Sequence, residues 1–136
     1  MKPDMSQNRP YQGFCAYGQS KTANILHCVS LNKRYGRQGL RAFAVHPGSI
    51  WTDLSRNLTP DDLKIIEGTS TSWLTQDQGT ATILVAALDP KLANVTDEVF
   101  LSDCKFTAVA ETAKNLDIAE RLWTLSESLT NYTAKI

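Results

Sequence analysis

The sequence predicts an α/β fold organised around parallel strands. The first observation is a nearly unbroken apolar run, Leu40-Arg41-Ala42-Phe43-Ala44-Val45, between Gly39 and Pro47. It has the signature of a strand buried on both faces. The second is the stretch 16–35, whose spacing is helical and which stops at Gly36 and Gly39 just before that run. Helix, tight turn, buried strand is the second half of a βαβ unit. The third is a later candidate strand at 98–101, separated from the first by helical segments.

Each element has a local reason. Residues 1–13 are rich in Pro, Asn, Gln and Ser, and Pro3 and Pro10 make them a loop. In 16–35, Ala16, Ala23, Ile25, Leu26, Val29 and Leu31 form a broad apolar face, and Lys33-Arg34 suit a last helical turn. Pro47-Gly48-Ser49 breaks the strand. Residues 53–67 read as a mixed segment holding a short helix, with Thr59 at its N-cap, Pro60 at N1 and two acids behind them. Residues 68–75 read as a loop. Residues 76–88 read as a helix with Ala81, Leu84, Val85 and Leu88 on its packing stripe, ended by Asp89-Pro90. A final helix is expected over 117–129, capped by Asp117, with Ala119, Leu122, Trp123, Leu125 and Leu129 inward.

The 136 residues carry 14 Lys+Arg and 14 Asp+Glu, with 42% hydrophobic and 21% charged residues. That is a globular composition, and one domain by length alone. The neutral balance leaves no electrostatic footprint for nucleic acid. No apolar run reaches the ~18 residues of a membrane span. The polar start has no apolar leader core, so a cytoplasmic or peripherally membrane-associated protein is expected. Cys15, Cys28 and Cys104 are scattered and odd in number, against a disulfide framework or structural zinc site. Cys15 and Cys104 are expected to be buried or semi-buried, and Cys28 to serve helix packing. The triplets at Asn57, Asn94 and Asn131 match the glycosylation pattern and are read as chance.

The chemistry-bearing stretch is Ala16-Tyr17-Gly18-Gln19-Ser20-Lys21-Thr22-Ala23-Asn24. Tyr17 and Lys21 are four apart on a predicted helix and share a face. For a phenol to exchange protons near neutrality, its anion must be favoured by about 4 kcal/mol. An ammonium at ~4–5 Å supplies about 3–4 kcal/mol at an effective dielectric near 20, and under about 1 kcal/mol in bulk water. The pair therefore works only in a desolvated site, and by itself reads more readily as an exposed Tyr and Lys.

The flanks decide between these. The order Tyr17…Lys21, Gly39, the apolar strand, then His46-Pro47-Gly48-Ser49-Ile50-Trp51-Thr52 resembles the short-chain dehydrogenase/reductase family. The wording AYGQSKTANIL, GLRAFAVHPGSIWTDL and RLWTLSE is similar to its retinol-dehydrogenase-like and WW-domain-oxidoreductase-like branch. The resemblance covers about residues 11–129. It implies the C-terminal half of a Rossmann-like doubly wound fold: catalytic helix, buried parallel strand, lid helices, short last strand and C-terminal helix.

It also implies an NAD(P)-dependent oxidoreductase acting on a carbonyl or alcohol. Tyr17 would be the acid/base. Lys21 would favour its phenolate and bind the nicotinamide ribose. Pro47, Gly48, Ser49 and Ile50 would hold the nicotinamide end of NAD or NADP, with a hydroxyl contact from Thr52. The turn lies beyond the carboxyl end of a buried strand, where open α/β sheets bind ligands, and Gly48 would let a ligand approach the backbone. Residues 53–73 would be the substrate lid. Their Leu54, Leu58, Leu63, Ile65, Ile66 and Trp73 make an apolar substrate plausible. Helix 16–35 is commonly the dimer face in this family, and its second stripe fits that or packing on its own sheet.

The family's Thr-Gly-x-x-x-Gly-x-Gly, Asn-Asn-Ala-Gly and catalytic Ser are absent from the sequence. Ser6 lies in a loop with no strand before it, and Ser20 sits within the Tyr17–Lys21 motif, so neither takes the serine role. The chain thus reads as the C-terminal half, with a catalytically inactive remnant or interaction module as the alternative. His46 is read as a structural part of the turn, His27 as a surface or interface residue, and Trp123 as a core anchor. No side-chain set has metal-ligand spacing.

Overall fold

A computed structural model of the chain describes residues 10–70 and 72–133, with Leu54 described by its backbone alone. Ser6 and residues 1–9 of the expected loop 1–13, and the Leu54 side chain expected in the lid, lie outside the described residues. The fold is mixed α/β: α1 (Gly13–Tyr35), β1 (Ala44–His46), α2 (Pro60–Thr69), α3 (Gln76–Leu88), β2 (Phe100–Ser102), β3 (Lys105–Phe106) and α4 (Leu116–Thr130). The sheet order is β1-β2-β3. β1 and β2 run parallel with Val45 opposite Leu101, and β3 returns antiparallel with Phe106 opposite Leu101.

Helix α1 ends where its glycines were expected to end it. A 3-10 turn at Gly36–Gln38 follows, and Gly39 takes φ 89°, a left-handed conformation that a Cβ would strain. The following strand is shorter and more open than expected. Only Ala44–His46 pairs, and its residues are half-buried or exposed rather than buried on both faces. Two physical reasons are visible. β1 has a partner on one side only among the described residues. Upstream, the Asn32 side chain takes the place of a neighbouring strand: its Nδ2 donates to Ala42 O at 2.9 Å and its Oδ1 accepts from Ala42 N at 2.8 Å. Ala42's backbone is thereby satisfied by α1.

The core lies between α1 and α4. Leu26, Val29 and Ala119 are buried together, with Val99 and Leu122 packed against them. The Ser30 hydroxyl, also buried, donates to Ala119 O at 3.0 Å across the same contact. Trp123 anchors this face as expected, at 6% exposure. It stacks on His27 with ring centroids 5.2 Å apart, and the Arg34 guanidinium lies 4.6 Å over it. His27 is exposed, as expected, and takes part in the contact between α1 and α4. Leu129 does not join the packed face and is exposed. The α4 cap is Asn115, not Asp117: Asn115 Oδ1 accepts from Ile118 N at 3.0 Å, which places Asp117 in the first turn.

Helix α3 has the expected bounds and the opposite face inward. Leu84 and Leu88 are 51% and 72% exposed, while Gly79 and Thr82 are buried against the parallel pair. The reason is close approach. A Cβ on Gly79 would lie 2.0 Å from Ile50 Cδ1 and 3.1 Å from Pro47 O. Thr82 Oγ1 accepts the Cys104 backbone N–H at 3.1 Å. That bond fixes the β2–β3 hairpin, whose turn residues Asp103 and Cys104 both have positive φ, 52° and 57°. Cys104 and Cys15 are exposed, against expectation, because one sits on this turn and the other on the open start of α1. Leu101, on the central strand, is 1% exposed.

Candidate active site

Helix α1 runs antiparallel to the sense of its following strand and so carries its amino-terminal half back to the carboxyl end of β1. There Tyr17 meets the turn that follows His46. The two line a cleft of about 730 Å³. Of the residues assigned from sequence, Tyr17, Gly48, Ser49, Ile50 and Thr52 share its lining, and Pro47 and Lys21 do not. Pro47 sits behind the turn, with its carbonyl toward α3. Lys21 lies beside the tyrosine: its Nζ is 5.2 Å from the Tyr17 ring centroid. The i,i+4 spacing places both on one helical face, and Tyr17 is 55% exposed.

The turn is held by specific contacts. Gly48 has φ 90°, and a Cβ there would lie 2.5 Å from Leu74 Cδ1. The glycine is therefore required by the turn and by the close approach of Leu74. His46 Nδ1 accepts the Gly48 N–H at 2.9 Å, so this nitrogen is committed to the backbone and the imidazole has the structural role expected. Leu74 N donates to Ser49 O at 2.8 Å, Ile50 and Leu74 form a parallel bridge, and Ser70 Oγ bonds Ser49 Oγ at 3.1 Å.

These bonds close the base of the segment between Trp51 and Trp73, whose rings meet edge-to-face at 5.4 Å. Within it, a 3-10 turn at Asp53–Asn57 precedes α2. The expected start of α2 is present as a full capping box: Thr59 Oγ1 accepts from Asp62 N, and Asp62 Oδ2 accepts from Thr59 N. The hydrogen bonds from the Thr59 hydroxyl and backbone hold the Asp62 carboxyl below its usual range. Leu58 and Ile66 turn toward the cleft, while Ile65 is exposed.

Sequence reasoning missed Tyr11, Phe14 and Ser20, which also line the cleft. Phe14 and Ser20 stand three residues either side of Tyr17, so the same helical spacing that paired Tyr17 with Lys21 could have found them. Ser20 Oγ donates to Tyr17 O at 2.7 Å and is occupied by its own helix. Among the described residues no group of three or more His, Cys, Asp or Glu could hold a metal.

The arrangement is that of an α/β fold with a tyrosine–lysine pair set against the turn at the carboxyl end of a parallel strand. The chain is 37% identical over 123 residues to retinol dehydrogenase 12 of Mus musculus, covering 90% of this chain and 38% of that protein. It is 36% identical over 117 residues to short-chain dehydrogenase TIC 32 A, chloroplastic, of Brassica napus, covering 84% and 36%. It is 32% identical over 133 residues to a probable oxidoreductase of Streptomyces lividans, covering 85% and 44%. The chain belongs to the short-chain dehydrogenase/reductase family. It spans 36% to 44% of the length of these relatives. No protein-family model and no solved structure matches the chain.

Proposed function

We propose that the chain is the C-terminal half of an NAD(P)-dependent short-chain dehydrogenase/reductase domain, supplying the acid/base and the substrate lid for oxidation of an alcohol or reduction of a carbonyl. The observation that supports this most is the placement of Tyr17, with Lys21 at its ring, opposite the turn from Gly48 to Thr52. The residues present suit the nicotinamide end of the cofactor. Tyr17, Ser49 and Thr52 line one cleft, and Lys21 adds a cation beside it. When bound, the cofactor supplies or accepts the hydride. The Tyr17 hydroxyl donates its proton to the carbonyl oxygen, or takes one from the alcohol. Lys21 stabilises the phenolate left behind.

Solvation governs how well that works. An ammonium about 5 Å from a phenolate stabilises it by about 1 kcal/mol in water and about 3 kcal/mol at an effective dielectric near 20. The pair gains its strength only when the cleft is covered by cofactor, substrate and the remaining half of the domain. Leu58, Ile66, Trp51 and Trp73 make the substrate side apolar, which favours an apolar carbonyl or alcohol. A homodimer would form on the face of α1 that α4 leaves open. No helix among the described residues is long and apolar enough to cross a membrane, and a cytoplasmic or peripheral location is part of the same proposal.

The test is to join this chain to the cofactor-binding half of a relative and follow reduced nicotinamide by absorbance. Turnover that Tyr17→Phe abolishes, and that Lys21→Met lowers strongly, is the expected result. Equal activity in Tyr17→Phe overturns the assignment.

A further inference from the structure

A second cleft, of about 850 Å³, lies at the amino ends of the parallel strands, opposite the end that carries Tyr17. Arg41 just before β1 and Val99 just before β2 both line it. Five of the chain's 14 Lys and Arg residues do so as well: Lys33, Arg34, Arg37, Arg41 and Lys114. A single carboxylate, Asp97, shares the lining. In a chain with zero net charge this is a strong local asymmetry.

The cations are not equally free. Arg34 pairs with Glu120 and Lys114 with Glu111, and both carboxylates point from outside the lining. Glu98 adds a further weak field at Lys114. Lys33, Arg37 and Arg41 form no ion pair among the described residues. Arg41 is also preorganised. Its Nη1 donates to Gly36 O at 2.7 Å and Leu40 O at 2.8 Å, while its Nε is buried without a hydrogen-bond partner. Its charge is therefore half-buried, held in place and uncompensated by a carboxylate, a costly state that an anion would relieve. Buried Val29 and half-buried Val99 supply an apolar wall beside these groups.

We infer that this cleft is an anion-binding site for a phosphoryl group, gripped by Arg41, Arg37 and Lys33, and separate from the Tyr17 cleft. A guanidinium fork matches phosphate oxygens, and three unpaired cations suit a dianion better than a lone carboxylate. A free phosphate ester and a phospholipid headgroup present the same chemistry.

The test titrates the 136-residue chain with inorganic pyrophosphate by NMR, and separately with phosphatidylcholine vesicles with and without phosphatidate. Saturable shifts at Arg37, Arg41 and their neighbours are expected, weakening as salt is raised. Arg37→Gln and Lys33→Gln should each weaken binding by about tenfold. Neither side chain makes a hydrogen bond among the described residues, so these variants remain informative where Arg41→Gln disturbs the Gly36–Leu40 turn. Saturable pyrophosphate binding supports a soluble phosphate ligand, and binding to phosphatidate vesicles alone supports a headgroup. Binding to neither, or an equal loss in the remote Lys64→Gln, overturns the site.

Discussion

Gly79→Ala would perturb the point where α3 touches the turn that borders Tyr17. Gly79 is the fourth residue of α3, and replacing a helical glycine with alanine ordinarily stabilises a helix by up to about 1 kcal/mol. Here the new Cβ would lie 2.0 Å from Ile50 Cδ1, 3.1 Å from Ile50 Cγ1 and 3.1 Å from Pro47 O. Overpacking of this kind costs about 1–3 kcal/mol. The balance is a net loss of up to about 2 kcal/mol. The clash is mostly with one methyl group, so Ile50→Val, which removes Cδ1, should release it. That single change costs about 1 kcal/mol by itself. In the Ile50→Val background, Gly79→Ala should cost little or become stabilising by up to about 1 kcal/mol. The coupling between the two positions is then about 1–2 kcal/mol. Urea unfolding followed by circular dichroism reads all four proteins of the cycle. Gly79→Ala that stabilises the parent by about 1 kcal/mol, with no coupling to Ile50, would refute the reasoning: Ile50 would then rotate aside freely and propensity alone would govern the site.

Thr82→Val should destabilise by about 1–3 kcal/mol in the same assay, because it strands the Cys104 N–H of the β2–β3 turn; an unchanged midpoint would show that water replaces the hydroxyl. Asn115→Ala should cost about 1 kcal/mol and Asp117→Ala markedly less, as read by thermal unfolding, since Asn115 is the residue that caps α4. Alkylation at neutral pH, followed by mass spectrometry, should label Cys15 and Cys104 first, because both are exposed while burial pushes the Cys28 thiol upward. The same upward shift means that the contribution of Cys28 to stability is present at neutral pH and is lost as pH rises through its folded value. A Cys28→Ala variant should therefore flatten the alkaline limb of a stability profile.

Much of the site could be read along the chain. The Tyr17–Lys21 spacing, the Pro47-Gly48 turn and the Thr59-Pro60 helix start depend on interactions within a few residues, and local sequence encodes those directly. The inward face of α3 was misread because Ala81, Leu84, Val85 and Leu88 form the more apolar stripe, yet closeness to β1 demanded the small Gly79 and the hydrogen-bonding Thr82. The third strand was missed because two residues, Lys105–Phe106, leave no periodic signal and their turn, Asp103-Cys104, lacks glycine.

The sequence by itself determined where α1 and α3 run, where the turn after β1 falls, and which tyrosine and lysine share a face, because backbone preference and short-range spacing act before any tertiary contact. Tertiary structure alone decided the rest. Asn32 satisfies Ala42 in place of a strand, Leu74 fills the space at Gly48, and Arg41, Arg37 and Lys33 meet in one cleft. Each of these joins groups that the chain separates by several residues or more, and only close packing, with its demand that buried polar groups be paired, brings them into contact.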